Sequence, residues 1–194
     1  MSDSDGRSAP SAGELRIKAA TIGEPQRVDG PIELRAYDDE WPGLYAQESV
    51  RVVDVLGDRV LRLEHVGSTS VPGLAAKPII DMLLVVADSS AEHGYVPPME
   101  AAGYVLRIRE PDWYEHRLFK GPGANINLHV FSAGCVEIER MLRFRDHLRA
   151  NDLDRELYLR TKRDLASRPW KYVQEYADAK TEVVEAIIVR AGTA

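Results

Sequence analysis

The run Ile79-Ile80-Asp81-Met82-Leu83-Leu84-Val85-Val86 sets one carboxylate among aliphatic side chains. A stretch this apolar reads as a strand covered on both faces, so Asp81 is either paired or working. Strand periodicity makes that testable. If Asp81 faces a ligand, Ile79, Leu83 and Val85 share its face, and Ile80, Met82 and Leu84 point the other way.

The residues leading into this run have the layout of a phosphate cradle. Leu61 to Val66 alternates like a half-buried strand, and Gly67 lets the backbone turn without a side chain in the way of a ligand. Ser68, Thr69 and Ser70 offer hydroxyl donors in a turn leading to a short helix whose free N–H groups favour an anion. Lys77 adds positive charge, and Pro78 holds it in extended chain.

Around this centre the chain reads as a mixed sheet followed by a helical tail. Residues 1–30 are rich in Ser, Gly, Ala, Asp and Pro with little apolar periodicity, and are expected to form a mobile arm unless part of them packs on the domain. Residues 31–191 form a single domain. Ile32 to Leu34 suits a short edge strand, and Asp38 or Asp39 can cap a helix from about Pro42 to Gly57. A second helix is expected over Ser90 to Ala102. Tyr104–Arg109, His116–Lys120 and Asn125–Phe131 read as an antiparallel meander. Three helices complete the chain: Val136–Ala150, Leu153–Ser167 and Tyr172–Ala191.

Charge and composition narrow the function classes. A net charge of -6 argues against a protein that grips nucleic acid by its phosphates, yet leaves room for a local basic cluster that takes a small phosphorylated ligand. Cys135 stands alone, so neither a disulfide framework nor a cysteine zinc site is available. No leader or long apolar run is evident, and the expectation is a cytoplasmic protein without membrane contact, with a homodimer left open. There is no Gly-x-x-x-x-Gly-Lys-Ser/Thr run, which sets aside a P-loop kinase.

His65 to Asp81, Leu128-His129-Val130-Phe131, Phe144-Arg145-Asp146-His147-Leu148-Arg149 and Ala179-Lys180-Thr181-Glu182, in that order, resemble the GrpB family of the nucleotidyltransferase superfamily, of the DNA polymerase beta type. The resemblance runs from about Ile32 to Arg190. It implies an α/β (α+β) nucleotidyltransferase-like fold, a mixed sheet with flanking helices and a C-terminal helical segment. It also implies transfer of a nucleotidyl group from a nucleoside triphosphate to a small-molecule or protein acceptor. In that reading Gly67, Ser68, Thr69 and Ser70 hold phosphates, Lys77 neutralises charge and Asp81 coordinates Mg²⁺. The superfamily's second carboxylate falls two residues after the first, and here that position is Leu83. The departure motivates an alternative: a catalytically inactive binding or chaperone-like module of the same fold.

Further candidates complete the expected site. Asn127 and His129 share a strand face, where the resembling family often has a His-x-His pair; His129 and His65 could join Asp81 on a metal, or be ordinary hydrogen-bonded imidazoles. With a metal, His129 and His65 would suit a hydrolase or lyase. Arg145, Lys162 and Lys180 fall on inward helix stripes, so they meet either ligand anions or Asp81, Asp146 or Glu182. Trp113 and Tyr114, in a hairpin turn, are expected at the site wall.

Overall fold

The computed structural model describes residues 9–28, 30–123 and 125–192. Five strands, β1 (Arg62–Val66), β2 (Ile80–Val86), β3 (Val105–Glu110), β4 (His116–Lys120) and β5 (Ile126–Ser132), form one sheet in the order β1-β2-β5-β4-β3. β2 and β5 run parallel at its centre, and all other neighbours are antiparallel. The helices are α1 (Ala12–Ala20), α2 (Trp41–Leu56), α3 (Val96–Ala101), α4 (Val136–Ala150), α5 (Asp152–Ala166), α6 (Val173–Asp178) and α7 (Thr181–Ala191). The mixed α+β class and the sheet-then-helices order agree with the sequence reading.

The alternation of β2 sorts its residues as the periodicity requires. Ile80, Met82, Leu84 and Val86 pack with Val52 and Leu56 of α2, Met99 of α3 and Phe119, Leu128 and Val130 of the sheet. Leu83 and Val85 lie on the other face with Val66 and Phe131, under Ile138 and Leu142 of α4. Each fully buried side chain of this kind contributes about 1.5–3 kcal/mol. Asp81 shares the second face but opens onto a cleft.

Three elements differ from expectation, each for a physical reason. Pro97 and Pro98 lack N–H groups and are tolerated only in a first turn, so α3 begins at Val96 behind a 3-10 turn over Glu92–Gly94 instead of at Ser90. The last helix is two, because its halves dock in different places. Tyr176 of α6 packs with Leu165, Ala166 and Trp170, whereas Ile187 of α7 packs with Leu148 and Tyr158. Lys180 stands at the break between them, at the position before α7. Ile32 and Leu34 form no strand but pack beside Tyr176, with an isolated bridge at Arg35–Ala76.

The segment expected as an arm, 1–30, holds α1 among its described residues; residues 1–8 and 29 lie outside them. Ser11 caps α1, and Glu14 accepts from Lys171 Nζ (2.8 Å) and the Tyr172 hydroxyl (3.1 Å). Ile22 N–H donates to Arg107 O on β3, and Val173 N–H donates to Gln26 O. The segment thus spans from the β3 edge to the start of α6.

Candidate functional site

Asp81 fixes the local geometry. Gly67, at φ 69°, follows β1 directly, and a Cβ there would stand 2.4 Å from Asp81 Oδ2. The glycine is therefore required by close approach of the carboxylate as well as by the turn. Burial works against the charge on Asp81, but the His129 imidazole, the Asn127 amide and nearby Lys180 hold its carboxyl below the ordinary range.

The sheet register assembles the remaining groups on the same face. β2 aligns Asp81 with Asn127 of β5, and β4 aligns Lys120 with Asn127. Asn127 Nδ2 donates to Asp81 Oδ1 (2.7 Å), and Lys120 Nζ donates to Asn127 Oδ1 (2.6 Å). A second chain runs diagonally: Glu110 Oε2 lies 2.7 Å from His116 Nδ1, and His116 Nε2 lies 3.0 Å from His129 Nδ1. His129 Nε2 then lies 3.9 Å from Asp81 Oδ1. His116 is buried between Phe131, stacked at 4.8 Å, and Trp113, edge-on at 5.2 Å.

Four lysines line the same cleft: Lys77, Lys120, Lys162 and Lys180. Lys162 Nζ donates to Ala75 O and sits 5.0 Å over the Tyr158 ring. Lys180 and Lys77 lie 4.6 and 5.8 Å from the Tyr176 ring centroid. Burial, aided by Lys180 and Lys120, pulls Lys77 down to about 8, with Asp81 opposing. Burial, with Lys180 and Arg163, pulls Lys162 down to about 7. Lys120 and Lys180 are lowered by burial too, each opposed by Asp81. Among the described residues none of the four is in an ion pair; Asp81 acts on Lys77, Lys120 and Lys180, and Asp178 acts on Lys180 as well.

The cleft, about 1450 Å³, extends from these lysines past His129 to Trp113 and Tyr114, with Arg16, Ile17 and Gln26 of the N-terminal segment in its wall. Trp113 and Tyr114 are 43% and 48% exposed in a turn where Tyr114 and Glu115 both take positive φ (56° and 52°). Backbone of this kind in side-chain-bearing residues is costly and concentrates at functional sites.

Of the site residues expected from sequence, the cleft gathers Gly67, Ser68, Lys77, Asp81, Trp113, Tyr114, Asn127, His129, Lys162 and Lys180. Four fall elsewhere. His65 pairs in register with Met82, not Asp81, so its ring points to the α2 face, stacks on Tyr45 at 4.8 Å and bonds Thr69 Oγ1. Thr69 Oγ1 donates to Ile79 O and Ser70 Oγ to Gly67 O; these hydroxyls close the turn. Arg145 is held by Glu64 (2.8 Å), Asp146 (2.7 Å) and His65 O (3.0 Å), because β1 presents Glu64 directly beneath α4. Lys120, His116 and Glu110 were missed. The signal lay in parity, since His116 and Lys120 share a face of one strand, as Asn127 and His129 do of the next.

The donor set does not suit a metal. Leu83 is fully buried in the apolar cluster under α4, and no three His, Cys, Asp or Glu residues come together to hold an ion among the described residues. Asp81 offers one carboxylate, already hydrogen-bonded to Asn127 and surrounded by ammonium groups. No residue of this site is assigned to a metal.

Among the described residues no helix is long and apolar enough to cross a membrane. A UPF0157 protein of Halalkalibacterium halodurans is 56% identical over 191 residues, 98% of this chain and 97% of that one. The crystal structure of the conserved protein GrpB from Enterococcus faecalis aligns at a TM-score of 0.72 with 30% identity, over 82% of this chain and 96% of that one. The Cid1 poly(U) polymerase with MgGTP bound aligns at 0.41 with 15% identity, over 67% of this chain and 45% of that one, a likeness too low to carry any argument about chemistry. The GrpB protein sequence model matches residues 31–190, and with the fold of the Enterococcus faecalis protein and the near full-length relative this places the chain in the GrpB family.

Proposed function

We propose that the cleft binds a nucleoside triphosphate, with lysines meeting the phosphates. The observation that carries this reading is that Lys77, Lys120, Lys162 and Lys180 line one cleft together with Asp81, while none of the four is in an ion pair among the described residues. Ammonium groups brought together and partly desolvated are costly in the empty protein, and an anion of several charges removes that cost. Trp113 and Tyr114 at the far end of the same cleft offer ring faces to a base. Magnesium enters this reading as the ion a nucleotide carries in solution.

In its catalytic form the reading is nucleotidyl transfer: a hydroxyl or amine acceptor attacks the α phosphorus, and pyrophosphate leaves. Positioning and fixed charge supply most of the rate in such reactions. A second reading, a catalytically inactive binding module, is favoured by one observation: Leu83 fills the second carboxylate position with core.

Titration calorimetry with ATP, GTP, CTP and UTP, each in magnesium and in EDTA, tests the reading on wild type, Asp81→Ala and Lys180→Ala. Binding that persists in EDTA and weakens in Lys180→Ala is the expected result. Absence of binding by all four nucleotides in both conditions overturns it. Nucleotide turnover in the same samples separates the transferase from the binding module.

A further inference from the structure

We propose that Glu110 and His116 are positioning residues that hold His129 with its Nε2 as the proton acceptor for a hydroxyl or amine bound beside Asp81. This rests on the ligand-binding reading of the cleft and adds the group that moves the proton.

The argument is a sequence of forced hydrogen-bond choices. An ionised Glu110 can only accept, so His116 Nδ1 carries the proton of the 2.7 Å contact. Burial pulls His116 down to about 4 against the opposing pull of Glu110, so at neutral pH its ring has one N–H and its Nε2 is a lone pair. That lone pair accepts from His129 Nδ1–H across 3.0 Å. In the neutral His129 ring Nε2 is then the atom left without a hydrogen, turned toward the cleft and 3.9 Å from Asp81 Oδ1. Phe131 and Trp113 clamp the His116 ring plane, so the second link keeps its direction.

The same layout favours the product of proton uptake. One proton passes from the bound O–H or N–H to Nε2. The resulting imidazolium keeps its Nδ1–H bond to His116 and gains Asp81 as its counter-charge. The titratable groups facing His129 are Asp81 from β2, His116 from β4 and Glu137 from α4, with Arg140 paired to Glu137. Two links across three strands are more than a structural imidazole needs, and their open end lies in the cleft.

Long-range proton–nitrogen NMR on the full chain with labelled histidine tests this directly. In its neutral form His129 should show protonated Nδ1 and bare Nε2, the minority form of free histidine. Glu110→Leu, verified as folded by circular dichroism, should release this preference, because His116 Nδ1 loses its acceptor and the His116 tautomer is no longer fixed. The His65 signals, from the opposite face, should not move. An Nε2–H form of neutral His129 in the wild type overturns the proposal even if Glu110→Leu does not fold, and so does an unchanged His129 tautomer in a folded variant. Adding ATP to the wild type separates the two readings: an undisturbed His129 signal would defeat the nucleotide assignment, while the tautomer decides the relay.

Discussion

Two regions border Asp81, and they use their polar groups in opposite ways. The turn Gly67–Ser70 is dense in hydroxyls, yet Thr69 and Ser70 spend theirs on Ile79 O and Gly67 O, and Gly67 is packed against the carboxylate itself. The pleated face of β4 and β5 looks sparse in sequence, yet its register sets Lys120 and Asn127 in a hydrogen-bonded chain to Asp81, and His116 and His129 in a second whose end lies 3.9 Å from it. A local run of donors tends to satisfy itself, because short chain segments close easily. Groups brought together across strands are held apart by the backbone and keep capacity for a ligand.

The strongest way to break this contrast is Leu83→Asp, which restores the second carboxylate in sequence. It should cost about 3–5 kcal/mol in urea unfolding, because the charge enters the cluster of Val66, Val85, Phe131 and Ile138. Gly67→Ala comes next, at about 3 kcal/mol by the same measurement, since strain at positive φ adds to the clash with Asp81. Lys180→Ala should weaken ATP about tenfold in calorimetry, or 1.4 kcal/mol, with stability held or raised. Thr69→Val should show the reverse pattern, losing about 1 kcal/mol of stability with ATP affinity unchanged. Equal loss of ATP binding in Thr69→Val and Lys180→Ala would erase the distinction between the two regions.

The pH dependence sharpens it further with a smaller effect. Lys77 and Lys162 hold protons less tightly in the folded protein, at about 8 and about 7, than at the ordinary 10.5. Between about 7 and 10.5 the unfolded chain therefore binds more protons, and stability from these groups rises with pH. ATP affinity should fall over the same range as the site loses charge. His65 and His116, both near 4 instead of 6.5, add a second stability loss as pH drops from 6.5 toward 4. Urea unfolding and calorimetry at matched pH values check both trends.

Much of this was legible in the residues. The apolar run around Asp81, the strand His116–Lys120 and the helix Val136–Ala150 follow from periodicity and occur as read. Strand parity also put Leu83 and Val85 on the face of Asp81. What stayed hidden was pairing. That Asn127 lies opposite Asp81 depends on a parallel pairing between strands separated by the whole meander, which periodicity within one strand does not contain. The fate of Arg145 was hidden for the same reason, since its partner Glu64 is on the edge strand. The break at Lys180 reflects two docking surfaces and leaves no glycine or proline as a marker.

A crystal structure of the protein soaked with ATP in EDTA tests the central claim most directly. The account expects phosphate oxygens within salt-bridge distance of Lys77, Lys120 and Lys180, with Thr69 and Ser70 still bonded to the backbone. Phosphates held by the hydroxyls of the Gly67–Ser70 turn, with those lysines turned away, would contradict it.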